Sequence, residues 1–145
     1  MTTESTIEVV KCYMTVFNEN RVEEPETLNL VTEDVCWIDP RFPAFQGKES
    51  FARYLKYAGR ENRVIRPIWE ARNIFASEEE ACVEWSAELT LGTKICLDGT
   101  SVFRVRDGRI YYYRGYWDTF IWKSRLNFLL SDSLMGLLNR VVLGR

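Results

Sequence analysis

The hydrophobic period of this chain changes once, near Val64, and that change limits the folds open to it. Beyond it the run ACVEWSAELTL alternates strictly, with Val83, Trp85, Ala87, Leu89 and Leu91 on one face, the pattern of a half-buried strand. Before that run, VIRPIWEARNIFA is strand-like and joins it through an acidic SEEE turn. After it, KICLDGTSVFRV and RIYYYRGYWDTF flank Asp107-Gly108, a strong hairpin signal. Four consecutive antiparallel strands are expected. Gly99, inside a strand pattern, is a candidate bulge that would help the sheet bend.

Ahead of the change the spacing is helical. Ser5 and Glu8 form a capping-box pattern, and Ile7, Val10, Met14 and Phe17 recur at helical intervals up to Asn18. Pro25 with Leu28, Leu30 and Val31 predicts a short second helix ending near Thr32, and VCWIDP reads as a strand stopped by Pro40. Phe51, Tyr54, Leu55 and Ala58 mark a third helix that Gly59 would terminate. Helices first and a meander afterwards predict an α+β fold, with the helices covering one face of a bent antiparallel sheet. The domain is expected over 1–120. From 121 to 145, Trp122, Leu126, Leu129, Leu130, Leu134, Leu137, Leu138 and Val141 predict an amphipathic helix packed on the same domain.

A chain of 145 residues is the size of one domain. Its 19 basic and 21 acidic residues are interspersed and sum to -2, so no nucleic-acid footprint is present. The 5 Trp, 7 Tyr and 8 Phe supply rigid area for a core, a pocket or an interface. Cys12, Cys36, Cys82 and Cys96 are widely spaced and form no CxxC pair, which predicts reduced, buried thiols. The first residues, MTTESTIEVV, carry neither a basic stretch nor an apolar core, and no segment reads as a membrane span; a cytoplasmic location is the expectation. Histidine is absent, which removes the usual general base and the commonest metal ligand. Acid/base chemistry must then come from carboxylates, phenols or thiols, and no metal or cofactor is expected.

Several short motifs carry a resemblance. The helix KCYMTVFN, the strand-ending pair in WIDP, the helix start GKESF, the segment SVFRV and the strand end GYWDTF, in this chain order, are similar to the ketosteroid-isomerase-like and SnoaL-like polyketide cyclase branch of the NTF2-like superfamily. The resemblance covers roughly residues 5 to 120 and implies a cone: a strongly curved antiparallel sheet with an apolar pocket between it and the helices. It also implies roles. Asp39 matches the general base and Tyr13 an oxyanion-hole phenol. Ser101 stands where the isomerases have a protonated Asp, a stronger donor than a hydroxyl, which argues against steroid isomerisation itself. Asp118 matches the acid/base residue of the cyclases. On simple alternation Asp118 shares a face with Ile110, Tyr112 and Arg114, whereas Tyr113 and Trp117 face the other way.

Around Asp39, the apolar Trp37, Ile38, Phe42, Pro43 and Phe45 favour a carboxylate whose desolvation raises its pKa. Asp-Pro is equally a frequent turn pair. Trp37, Trp69, Trp85, Phe103, Trp117 and Tyr54 are the candidate walls of a pocket for a small apolar, even polycyclic, molecule, or else plain core. Three functions compete. One is a cofactor-independent isomerase or cyclase using Asp39, Tyr13, Ser101 and Asp118. A second is an epoxide hydrolase or hydratase with a cluster of Asp39, Arg104 or Arg114, and Asp118, as the resemblance to limonene epoxide hydrolase implies. The third is a non-catalytic ligand-binding or interaction module. A homodimer is expected, because the outer face of a Trp- and Tyr-rich sheet would otherwise leave a large apolar patch.

Overall fold

The computed structural model describes residues 2–119. Helix α1 spans Thr3–Asn18 and α2 spans Lys48–Ile65; a short 3-10 helix, Pro25–Leu30, lies between them. The strands are β1 Val31–Ile38, β2 Phe45–Gln46, β3 Ile68–Ala76, β4 Glu80–Leu91, β5 Thr93–Arg106 and β6 Arg109–Trp117. They form one curved, unclosed sheet in the order β2-β1-β6-β5-β4-β3. Helix α1 lies against β3, β4 and β5, and α2 against β1, β2 and β4. The α+β cone with N-terminal helices on one face is therefore the fold; the helix expected over 121–145 lies outside the described residues.

The meander forms as its pattern dictates. Asp107 and Gly108 both take positive φ, 52° and 72°, the geometry that matches a two-residue hairpin to the twist of its strands. Ala81, Val83, Trp85, Ala87 and Leu89 of β4 all face inward and are buried. Across the strand from Trp85 stands Gly99. The β4–β5 register runs through it without a shift, so Gly99 is not a bulge. A Cβ there would collide with the Trp85 indole and lie 2.8 Å from the Tyr116 carbonyl oxygen: the glycine gives the indole room to lie flat on the sheet.

The bulges fall elsewhere, between Ala71 and Asn73, between Arg104 and Val105 and between Val31 and Cys36. At the second, Arg104 pairs with Tyr112 and Val105 with Ile110. The slip shifts the parity of β6, so Ile110, Tyr113 and Gly115 all bury inward.

Four further expectations are corrected. The capping box at α1 is made by Thr2 and Ser5, which exchange side-chain and backbone hydrogen bonds of 3.0 and 3.2 Å, not by Ser5 and Glu8. The third helix passes through Gly59 and ends at Arg66 in the left-handed region, φ 43°. β1 pairs with β6 in parallel, so the sheet is not wholly antiparallel. The cysteines are free but not buried: Cys12 and Cys96 are exposed, and Cys36 and Cys82 are partly so. No helix among the described residues is long and apolar enough to cross a membrane.

Candidate functional site

A pocket opens between the two helices and the concave face of the sheet, with about 870 Å³ of empty space when the open solvent at its mouth is included. Strands β4, β5 and β6 supply Trp85, Phe103, Ser101, Tyr113 and Trp117, while α1 supplies Tyr13. From α2 come Tyr54, Ala58, Glu61, Asn62 and Ile65, spaced as one helical face. The walls are thus mainly apolar and aromatic, with a few polar groups set into them.

Asp39 directly follows β1, is 7% exposed and faces this pocket. Two groups hold its carboxylate: Arg41 N–H donates to Oδ1 at 2.9 Å, and Arg41 Nε lies 3.5 Å from the same oxygen. The Asp39 carbonyl accepts from Phe42 N–H at 3.1 Å, so Asp39 does turn the chain at Pro40 and also points its acid into the pocket. Burial raises its pKa above the ordinary carboxylate value, Arg41 opposes that rise and Glu61 adds to it. Arg41 in turn makes a two-pronged bond to Glu61, with distances of 2.6 and 2.9 Å. Its guanidinium lies 5.0 Å from the centre of the Phe42 ring and 5.6 Å from that of Trp117. Asp39, Arg41 and Glu61 make a carboxylate–guanidinium–carboxylate cluster in the pocket wall.

Opposite in character is a chain of neutral donors. Trp85 Nε1 donates to Ser101 Oγ at 2.9 Å, and Ser101 Oγ lies 3.1 Å from the Tyr113 hydroxyl, all buried. Gly115 leaves that hydroxyl its room, since a Cβ there would come within 3.0 Å of it. Tyr13, Tyr54 and Tyr113 are all pushed well above the ordinary phenol value, foremost by burial. These phenols stay protonated and can donate. Behind them Trp37, fully buried, stacks on Tyr113 at 3.9 Å and 12°, as their direct pairing across β1 and β6 requires.

Of the residues singled out from sequence, Tyr13, Asp39, Ser101, Tyr54, Trp69, Trp85, Phe103 and Trp117 line this pocket. Trp37 does not: it backs the wall as core. Asp118 is exposed beyond the end of β6 and is not among the lining residues. Arg104 and Arg114 lie on the outer face, where Arg104 pairs with Glu80 at 2.9 Å and Arg114 stacks on Tyr116, so the proposed cluster with Asp118 does not assemble. Arg41, Glu61, Asn62 and Tyr113 were missed. Glu61 and Asn62 fell past the presumed stop at Gly59, and Tyr113 was hidden by the bulge. A cation two residues after the Asp, in a Pro-bounded loop, was the available signal for Arg41. Among the described residues no group of three or more cysteine, aspartate and glutamate side chains is placed to hold a metal ion.

The SnoaL-like domain family matches residues 10–113. The chain belongs to that family. Solved structures of the same fold include a candidate polyketide cyclase from Xanthomonas campestris, 22% identical, covering 84% of this chain and 96% of that one with a TM-score of 0.69. A LEH-like epoxide hydrolase of M. tuberculosis is 19% identical over 91% of this chain and 97% of that one, with a TM-score of 0.70. A second candidate polyketide cyclase, from Silicibacter, is 20% identical over 84% and 95%, with a TM-score of 0.67. No curated protein sequence matches the chain significantly.

Proposed function

We propose that this SnoaL-like protein is an isomerase or cyclase that moves a proton beside the carbonyl of a small apolar compound, using its own side chains as acid and base. The observation carrying this reading is a partly desolvated carboxylate, Asp39, set in an aromatic pocket together with three phenols held protonated. Asp39 takes the proton from the carbon next to the carbonyl. The C–H electron pair becomes the enolate double bond, and the carbonyl oxygen takes the negative charge. Tyr113 and Tyr13 donate O–H to that oxygen. Ser101 is a positioning residue here: it links Trp85 to Tyr113 and aims the phenol. Asp39, now protonated, returns its proton to the new carbon site.

Exchange of the α-protons of 1-tetralone in D2O, followed by NMR, tests the step without knowledge of the natural substrate. Asp39→Asn is expected to slow catalysed exchange by about 10²–10⁴-fold. Exchange equal to that of the unaltered protein would overturn the role.

One observation favours a second reading, epoxide opening: Arg41 bridges two carboxylates in the pocket wall. Asp39 or Glu61 would draw a proton from water as the water attacks the epoxide carbon, and the C–O bond would break toward a phenol donor. Hydrolysis of cyclohexene oxide, lost in both Asp39→Asn and Glu61→Gln, would select this reading. We also propose that the protein pairs as a homodimer through the outer face of its sheet.

A further inference from the structure

Two polar groups in the pocket wall are left over by that chemistry. Asn62 is 7% exposed, and among the described residues its Nδ2 has no hydrogen-bond partner. Trp69 Nε1 is likewise shielded from solvent and without a partner. Both side chains line the pocket. Buried donors are nearly always paired in folded proteins, so an orphan needs an explanation.

Local structure does not give one. Asn62 sits in the last turns of α2, where its backbone carbonyl, and not its side chain, accepts the capping N–H of Arg66 at 2.9 Å. A helix interior favours Leu over Asn, and a leucine, branched at the same carbon, would suit a wall that already contains Ala58, Ile65, Val83 and Leu89. Trp69 is held from its backbone: Asn18 bonds its N–H at 2.7 Å and its carbonyl at 2.9 Å, which leaves the indole nitrogen unused.

We propose that Asn62 and Trp69 form a second polar subsite, which binds an acceptor oxygen of the molecule whose reacting carbonyl lies at Asp39. An indole N–H can only donate, so the oxygen both can serve is a carbonyl, ether or hydroxyl oxygen. The inference rests on the reading of this pocket as the substrate site. It narrows the substrate class to compact apolar carbonyl compounds with a second oxygen remote from the reacting carbon.

Titration of the full chain with 1-tetralone and with 6-methoxy-1-tetralone, followed by tryptophan fluorescence, tests it. The unaltered protein should bind the methoxy compound about tenfold more tightly, because only that ligand satisfies the orphan donors. Asn62→Leu should bring the two within about twofold, with 1-tetralone binding held or tightened, and Trp69→Phe should lose part of the preference. Asn62→Leu should also melt at a higher temperature, since it removes an unpaired buried donor. A preference that survives in Asn62→Leu overturns the subsite, as does a lower melting temperature with both ligands weakened, which would make Asn62 structural. Failure of both tetralones to bind the unaltered protein brings down the pocket reading and the subsite together. Selective binding alongside unchanged proton exchange in Asp39→Asn would remove the catalytic reading and leave the subsite standing.

Discussion

Asp39 sets the terms on which this site can work, because its environment disfavours the charge its proposed role needs. Burial raises its pKa, Glu61 raises it further and Arg41 lowers it. The rate of α-proton exchange should therefore rise with pH along a single acid limb, with a midpoint above the ordinary Asp value of about 3.9. No alkaline limb from Tyr13, Tyr54 or Tyr113 is expected below about pH 10, since all three are pushed upward. Glu61→Gln should move the acid midpoint down, by removing a neighbouring negative charge and freeing Arg41 for Asp39; Arg41→Met should move it up. A midpoint indifferent to both changes would mean that the limb belongs to another group. Stability runs the opposite way. A carboxyl whose folded pKa exceeds its unfolded one gives stability that is complete below the unfolded pKa and lost as pH rises through the folded pKa. Asp39→Asn, whose Oδ1 can still accept from Arg41 N–H, should then melt higher than the unaltered protein at pH 7, on the order of 1–3 °C, with the gain vanishing near pH 4. Calorimetry at the two pH values checks the sign.

Between elements, the features legible in the sequence were those set by near neighbours along the chain. The Asp107-Gly108 turn needs two residues tolerant of positive φ, and the alternation of β4 needs only its own pattern, so both could be read directly. The parallel pairing of β1 with β6 joins segments more than seventy positions apart, and no local pattern records it. The slip at Tyr111 is equally silent, yet it decides that Tyr113 and Trp117 face the pocket while Asp118 does not. Asp39 and Tyr13 were visible because a short motif carried them; Arg41 and Glu61 were not, because their meaning arises only when α2 packs beside the loop after β1. Gly99 was noticed for the wrong reason. Its role is space: Gly99→Ala would press a methyl group into the Trp85 indole and the Tyr116 carbonyl, at a cost of about 1–3 kcal/mol. Trp85 would have to tilt, and Tyr113 would lose its aim through Ser101. Chemical denaturation and the exchange assay should fall together in Gly99→Ala; full activity in a destabilised variant would separate the indole from the donor chain.

At the scale of the molecule, the tryptophans expected to make the outer sheet face apolar are on the other side. Trp69, Trp85 and Trp117 line the pocket and Trp37 is core. The outer face of β5 and β6 instead carries Arg104 stacked on Tyr112 and Arg114 stacked on Tyr116, with Arg104 also paired to Glu80. Nearby, Arg72 meets Asp98 at 3.1 Å across the sheet. The tryptophans are thus no longer the argument for a homodimer. The argument becomes one of composition, since Tyr and Arg are the residues enriched where protein surfaces associate. Tyr116 presents a half-exposed ring, 49% accessible, beside that cationic row. Such an interface would be polar, and much of its strength would come from charges that salt screens within about 10 Å at 0.1 M. Light scattering should give twice the chain mass at low ionic strength and a shift toward the monomer as salt rises. Arg114→Glu, exposed on the outer face of the sheet, should give the monomer at all salt concentrations while leaving the melting temperature within about 2 °C. A dimer unmoved by Arg114→Glu would place the interface on another surface, and a monomer at low salt would end the dimer proposal.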